Sequence, residues 1–176
     1  MKKLAISAAL LVAVFAVLAV VGSGVGAGGK QMVKADTLTG YQEATPAGVS
    51  STATGSFEAT IDDAAQTIDY TLSYSGLEAP VLFAHIHFGN RFTSGGVSAF
   101  LCGGGGKPSC PQSGTVTGTV TLADVIGPAS QGIAAGEFGE LAAAIRAGVT
   151  YVNVHSTKFP AGEIRGQIND DNQRQP

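Results

Sequence analysis

The run Thr67-Ile-Asp-Tyr-Thr-Leu-Ser-Tyr-Ser75 changes from polar to apolar at every residue, a period of two that suits a half-buried β-strand and no helix. Ile68, Tyr70, Leu72 and Tyr74 share one face, and Thr67, Asp69, Thr71 and Ser73 share the other. From Ser51 to Ile61 the pattern repeats, with Ala53, Phe57, Ala59 and Ile61 opposite Thr52, Thr54, Ser56, Glu58 and Thr60. Asp62-Asp-Ala-Ala-Gln66 lies between the two runs and predicts a hairpin turn. Gly114 to Leu122 alternates Thr with Val in the same way. A chain built of such runs buries one side of each strand and leaves the other to water, which is the habit of antiparallel sheets.

Shorter runs extend the pattern. Asp36 to Tyr41, Val81 to Gly89, Val97 to Leu101, Val149 to His155 and Glu163 to Ile168 each read as a strand, separated by Gly- and Pro-containing turns. Between Ala123 and Gly148 the period changes, and Phe138, Leu141 and Ile145 recur at helical spacing with Gly148 in the place of a C-terminal cap. The expectation is an all-β protein, an antiparallel β-sandwich or Greek-key barrel of about eight strands with one short helix. The length of 176 residues suits one domain, and 25 Gly with no Trp fits a turn-rich β-fold.

Residues 1–35 do not share the pattern. Lys2-Lys3 precede an apolar run from Leu4 to Val21, and small residues follow. This is the form of an export signal, cut after Ala27 or after Ala35, with the second favoured because the strand-like sequence begins at Asp36. The apolar run is also long enough to act as an N-terminal membrane anchor. The expected organisation is a signal or anchor over 1–35, a β-domain over 36–168 and a disordered polar tail over 169–176, placing the protein outside the cell or in the cell envelope. Any membrane association would run through the N-terminal segment alone.

Export decides how the cysteines are read. Cys102 and Cys110 bracket a Gly-rich loop and are expected to form a disulfide. From Asp36 onward six basic residues stand against 13 acidic ones, so nucleic acid is a poor partner.

The chain has three histidines, and their positions point to one place. His85 and His87 lie two apart in a strand and share its face, while Ala84, Ile86 and Phe88 take the other. His155 ends the run in which Tyr151 and Asn153 share its face and Val152 and Val154 oppose it. If these strands are neighbours, the imidazoles converge on one surface patch. Three neutral imidazoles on a rigid sheet suit copper or zinc, with Asn153 or Glu163 to orient a ring nitrogen. A plainer role is a polar network in which the histidines, Asn153, Glu163 and Arg165 pin a loop over the sheet. Hydrolytic or phosphate chemistry has no support. Gly103-Gly-Gly-Gly-Lys107 lacks the first glycine and the Ser or Thr of a phosphate loop, and Ser156 points away from its neighbour His155.

Four stretches together resemble the CHRD (chordin) domain family: Leu38-Thr-Gly-Tyr-Gln-Glu43, Ala84-His-Ile-His-Phe-Gly89, Ala147 to Ser156, and Phe159-Pro-Ala-Gly-Glu-Ile-Arg-Gly-Gln167. The resemblance runs from about Thr37 to Ile168. It implies an extracellular β-domain found in bacterial exported proteins and, as repeats, in the animal protein chordin. The family's Pro-Pro after Gln-Glu is replaced here by Ala44-Thr-Pro46. A weaker similarity, His-x-His with a late Val-x-Val-His, is to the copper-zinc superoxide dismutase sandwich. Three histidines are too few for its dinuclear site. The function expected is a non-enzymatic extracellular or envelope module binding a protein or glycan, with the histidines as its surface. The alternative is a copper- or zinc-binding protein with a mononuclear site of three histidines, weakly redox active.

Overall fold

In the computed structural model, residues 29–169 apart from Pro46 are described. Residues 1–28 of the expected export segment and nearly all of the expected tail lie outside them. Among the described residues no helix is long and apolar enough to cross a membrane.

Eight strands form one antiparallel sheet: β1 Lys30–Thr39, β2 Thr54–Asp62, β3 Thr67–Ser75, β4 Val81–Phe88, β5 Gly96–Cys102, β6 Gly114–Thr121, β7 Thr150–Ser156 and β8 Ile164–Ile168. Their order is β5-β4-β7-β8-β1-β2-β3-β6. The sheet curls until it nearly closes, and the Tyr70 hydroxyl of β3 donates across the gap to the Leu101 carbonyl of β5 at 2.6 Å. The expected hairpin is present, with Thr54 to Asp62 paired residue by residue to Ser75 back to Thr67.

The core follows the alternation. Phe57, Ile61, Ile68 and Leu72 from β2 and β3 meet Ile86, Val152, Val154 and Ile164 from β4, β7 and β8, all buried. A single α-helix among the described residues, α1 Phe138–Arg146, adds Phe138, Leu141 and Ile145 to that core. Gly148, at φ 72°, follows it as the left-handed residue that ends a helix, its N–H donating to the Ile145 carbonyl.

The first strand differs from expectation. It begins at Lys30, six residues ahead of Asp36, and pairs with β2 from Lys30↔Asp62 to Ala35↔Phe57. A bulge between Ala35 and Leu38 moves the buried side chains from odd to even positions, from Val33 and Ala35 to Leu38. That shift breaks the alternation by which the strand would be recognised. Tyr41 leaves the strand and lies in a 3₁₀ turn, Gly40–Gln42. A cut after Ala35 would remove two core residues, whereas one after Ala27 would leave β1 whole.

A buried histidine trio beneath the loops

Antiparallel pairing of β4 with β7 sets His85 opposite Asn153 and His87 opposite Tyr151, with Phe83 opposite His155. The period of two then carries all three imidazoles to the outer face of the barrel, since Ala84, Ile86, Val152 and Val154 fill its core. One potential ligand nitrogen from each ring lies within 4.8 Å of the other two. The convergence is as the alternation implies, but the patch is not open surface. His85, His87 and His155 are only 4%, 8% and 5% exposed, because loops roof this part of the sheet.

Each ring is held by specific contacts. His87 Nδ1–H donates to the Gly95 carbonyl at 3.0 Å, and His155 Nδ1–H donates to the Pro160 carbonyl at 3.1 Å. A carbonyl only accepts, so both rings keep their proton on Nδ1 and present a bare Nε2. His155 Nε2 lies 3.2 Å from His85 Nδ1. His85 Nε2 and His87 Nε2 are buried with no hydrogen-bond partner. Two glycines permit these approaches. A Cβ on Gly95 would lie 1.7 Å from the Phe88 carbonyl oxygen, and one on Gly162, at φ 135°, would lie within 2.8 Å of the Asn153 and Glu43 side chains.

The surroundings are aromatic. Phe83 stacks on His85 with centroids 4.7 Å apart, and Phe100 of β5 meets the same ring edge-on at 4.3 Å. Tyr151 stacks flat on His87 at 4.8 Å. On its β8 side Tyr151 carries the Arg165 guanidinium, 3.4 Å from the ring centre. Burial, and behind it the neighbouring imidazoles, pushes the His85 pKa down to about 3. Burial and then His87 bring His155 down to about 4, and burial lowers His87 as well. All three rings are therefore neutral at physiological pH, the state in which imidazole binds a metal.

Asn153, Glu163 and Arg165 are buried beside the trio but do not orient its nitrogens in the described structure; the Gly95 and Pro160 carbonyls do. Arg165 pins the loop after β4 by donating to the Thr93 and Asn90 carbonyls at 2.8 and 2.7 Å. Asn153 Nδ2 donates to Glu43 Oε1 at 2.6 Å and to the Ile164 carbonyl at 2.9 Å. Glu163 accepts from Ser51 Oγ and from the Glu78 N–H, tying two loops together. The network foreseen as the plainer role is thus present around the trio. Glu43 joins it unforeseen, its carboxyl raised to about 7 by burial against the lowering effects of Asn153 and Arg165. Phe83 was findable, since it precedes His85 by two and so shares its face; Phe100 was not, because the β4–β5 ladder is irregular on both sides of His85.

Cys102 and Cys110 are joined as expected, with the sulfurs 2.00 Å apart. The loop they close rests on the site's wall, with Gly104 and Gly105 against the Phe100 ring. A shallow cleft of about 590 Å³ between β2, β3 and β6, lined by Thr54, Ser56, Ser73 and Tyr74 among others, shares no residue with the trio.

A family model for the CHRD domain matches residues 35–168. No curated protein and no solved structure matches the chain.

Proposed function

Because the chain belongs to the CHRD domain family, and because its three histidines converge in a buried cluster, we propose that it is an exported, non-enzymatic β-module that binds one copper or zinc ion at His85, His87 and His155. The observation that carries this is the convergence of the three rings, one potential ligand nitrogen from each within 4.8 Å of the other two, with His87 Nε2 buried and without a hydrogen-bond partner. A buried acceptor without a donor costs roughly 1–3 kcal/mol, and a metal ion removes that cost. Hydrogen bonding of the remote ring nitrogen to a carbonyl, as at His87 and His155, is the usual support of a histidine ligand. Nitrogens on a tetrahedral ion at about 2.0–2.1 Å stand roughly 3.3 Å apart. The 3.2 Å between His85 Nδ1 and His155 Nε2 matches that edge, so His85 would ligate through Nδ1, with the third nitrogen, from His87, within 4.8 Å of both.

The apolar N-terminal segment and the Cys102–Cys110 disulfide support an extracytoplasmic location. The CHRD domain is not a known enzyme family, and among the described residues no nucleophile with a neighbouring base accompanies the trio.

Elemental analysis of the untagged protein after exposure to copper and zinc tests this proposal. One equivalent retained by the wild type and lost in His85→Ala/His87→Ala/His155→Ala is the expected result; no metal in either protein would refute it. A second reading, contact with an extracellular protein or glycan, is favoured by Phe92, 86% exposed on the loop that Arg165 holds in place. It needs no metal and survives that refutation.

A further inference from the structure

We infer that the ion this trio selects is monovalent copper, held by three imidazoles without a fourth ligand. The inference rests on the metal-binding proposal above and narrows it from two elements to one oxidation state.

Charge is the first ground. Every candidate donor is a neutral imidazole, and the grouping of potential ligands contains no carboxylate or thiolate. Both cysteines are spent in the disulfide. No ligand in the set compensates the ion's charge, and the carboxyls buried in the surrounding network are engaged elsewhere, Glu43 by Asn153 and Glu163 by Ser51 and the Glu78 N–H. The cost of moving an ion out of water rises with the square of its charge, so a dication pays about four times what a monocation pays. Arg165 adds to this difference. Its guanidinium lies one aromatic ring away from His87, across Tyr151, and it donates to main-chain carbonyls rather than to a neutralising carboxylate. It repels a divalent ion twice as strongly as a monovalent one.

Coordination number is the second ground. Zinc takes four ligands, and with three histidines the fourth is water or hydroxide. Here the His85 ring is walled by Phe83 on one side and Phe100 on another, and Tyr151 covers His87. The Phe83 and Phe100 rings offer no hydrogen bond to a bound water, which would need two or more polar partners, and the Tyr151 hydroxyl is engaged by the Gly95 N–H at 3.0 Å. Monovalent copper, with a filled shell and a soft character, is satisfied by three nitrogen donors in a plane. Apolar walls that penalise a zinc-bound water cost it nothing.

Competition titrations test the inference on the untagged full chain in mild detergent. Copper(I) is offered anaerobically against bicinchoninate, with ascorbate as reductant so that the disulfide stays closed. Zinc(II) and copper(II) are offered against chromophoric chelators of their own. One copper(I) per chain is expected, bound at least about a hundredfold more tightly than zinc(II). X-ray absorption is expected to show three nitrogen neighbours at about 2.0 Å and no fourth light atom. Loss of binding is expected in the triple alanine variant, and also in the milder His87→Gln, whose circular dichroism reports whether the fold is kept. Zinc(II) or copper(II) binding as tightly as copper(I) would overturn the monovalent assignment and leave the metal site standing. Copper(I) retained by a folded triple variant would place it elsewhere, for instance on exposed Met32, and overturn the assignment too. Failure of all three ions to bind would overturn the site itself.

Discussion

Two outer faces of one sheet share a period and differ in everything else. On β2, β3 and β6 the outward positions are Glu58, Thr71 and Thr117 in one cross-strand row and Ser56, Ser73 and Thr115 in the next, and most of them stand in water. On β4, β7 and β8 the outward positions include His85, His87, Tyr151, Asn153, His155, Arg165 and Gln167, all buried, with Phe83 half-buried beside them. Alternation fixes which side a residue takes, not whether that side is wet. The second face is buried because most of its side chains are long and rich in hydrogen-bonding groups, and His87, Tyr151, His155, Arg165 and Gln167 each reach a main-chain atom of a loop. Gln167, for example, donates to the Gly89 and Gly148 carbonyls at 2.9 and 2.8 Å. The loops lie down because the sheet offers them partners.

Removing part of β1 is the severest test of that division. Lys30 to Ala35 pair with β2, on the threonine side of the barrel. A protein beginning at Asp36 loses the burial of Val33 and Ala35 and is expected to be less stable than one beginning at Gly28 by about 3 kcal/mol or more in urea unfolding. Hydrogen exchange should show protection falling first in β2 and β3 while the loops over the histidines hold. Equal loss on both faces would mean that they open as one unit.

Exchanging single side chains gives the next largest effect. Arg165→Met removes two charge-assisted hydrogen bonds and the stack on Tyr151, and is expected to cost about 2 to 4 kcal/mol. Thr71→Ala, at an equivalent outward position on β3, is expected to stay within about 0.5 kcal/mol. Similar values for the two would erase the contrast.

Acid sharpens it further. His85 and His155 have folded pKa values of about 3 and about 4, below their ordinary 6.5. The unfolded chain therefore takes up protons first, and the stability these rings contribute is complete above pH 6.5 and is lost as pH falls towards 4 and 3. Glu43 acts in the opposite sense. Raised to about 7 from 4.5, it contributes stability that is complete below 4.5 and is lost as pH climbs through 7. Two rings outweigh one carboxyl, so a net loss of about 2 kcal/mol is expected between pH 6.5 and 5. The triple alanine variant should lose less over that interval, and Glu43→Gln more. A wild-type profile flat from pH 6.5 to 5 would show that the rings are not dry.

Most of the sheet was legible in the sequence, because β3 and β6 alternate without interruption and their ends carry Gly or charged turns. The start of β1 was not, because a bulge hides its period. The trio was legible as three residues facing one way on two strands, and the neighbouring positions of β4 and β7 bring them together. Their burial was not legible. It depends on Gly95, Pro160 and the loops that carry them, which lie far from their partners along the chain and leave no periodic trace. Nor was the division of labour in the network, where Arg165 and Glu163 hold loops and carbonyls hold the rings.

The disulfide loop has one more consequence, for solubility. β6 pairs only with β3 among the described strands, so its other side is an edge of the sheet, where peptide groups lie outside the ladder. Lys107, carried on the Cys102–Cys110 loop, lays its ammonium across that margin, donating to the Thr119 carbonyl at 2.7 Å and pairing with Asp124 at 2.9 Å. A charge planted on an open margin deters the strand-by-strand stacking through which β-proteins form fibrils, so the loop that walls the histidines at one end guards against self-assembly at the other.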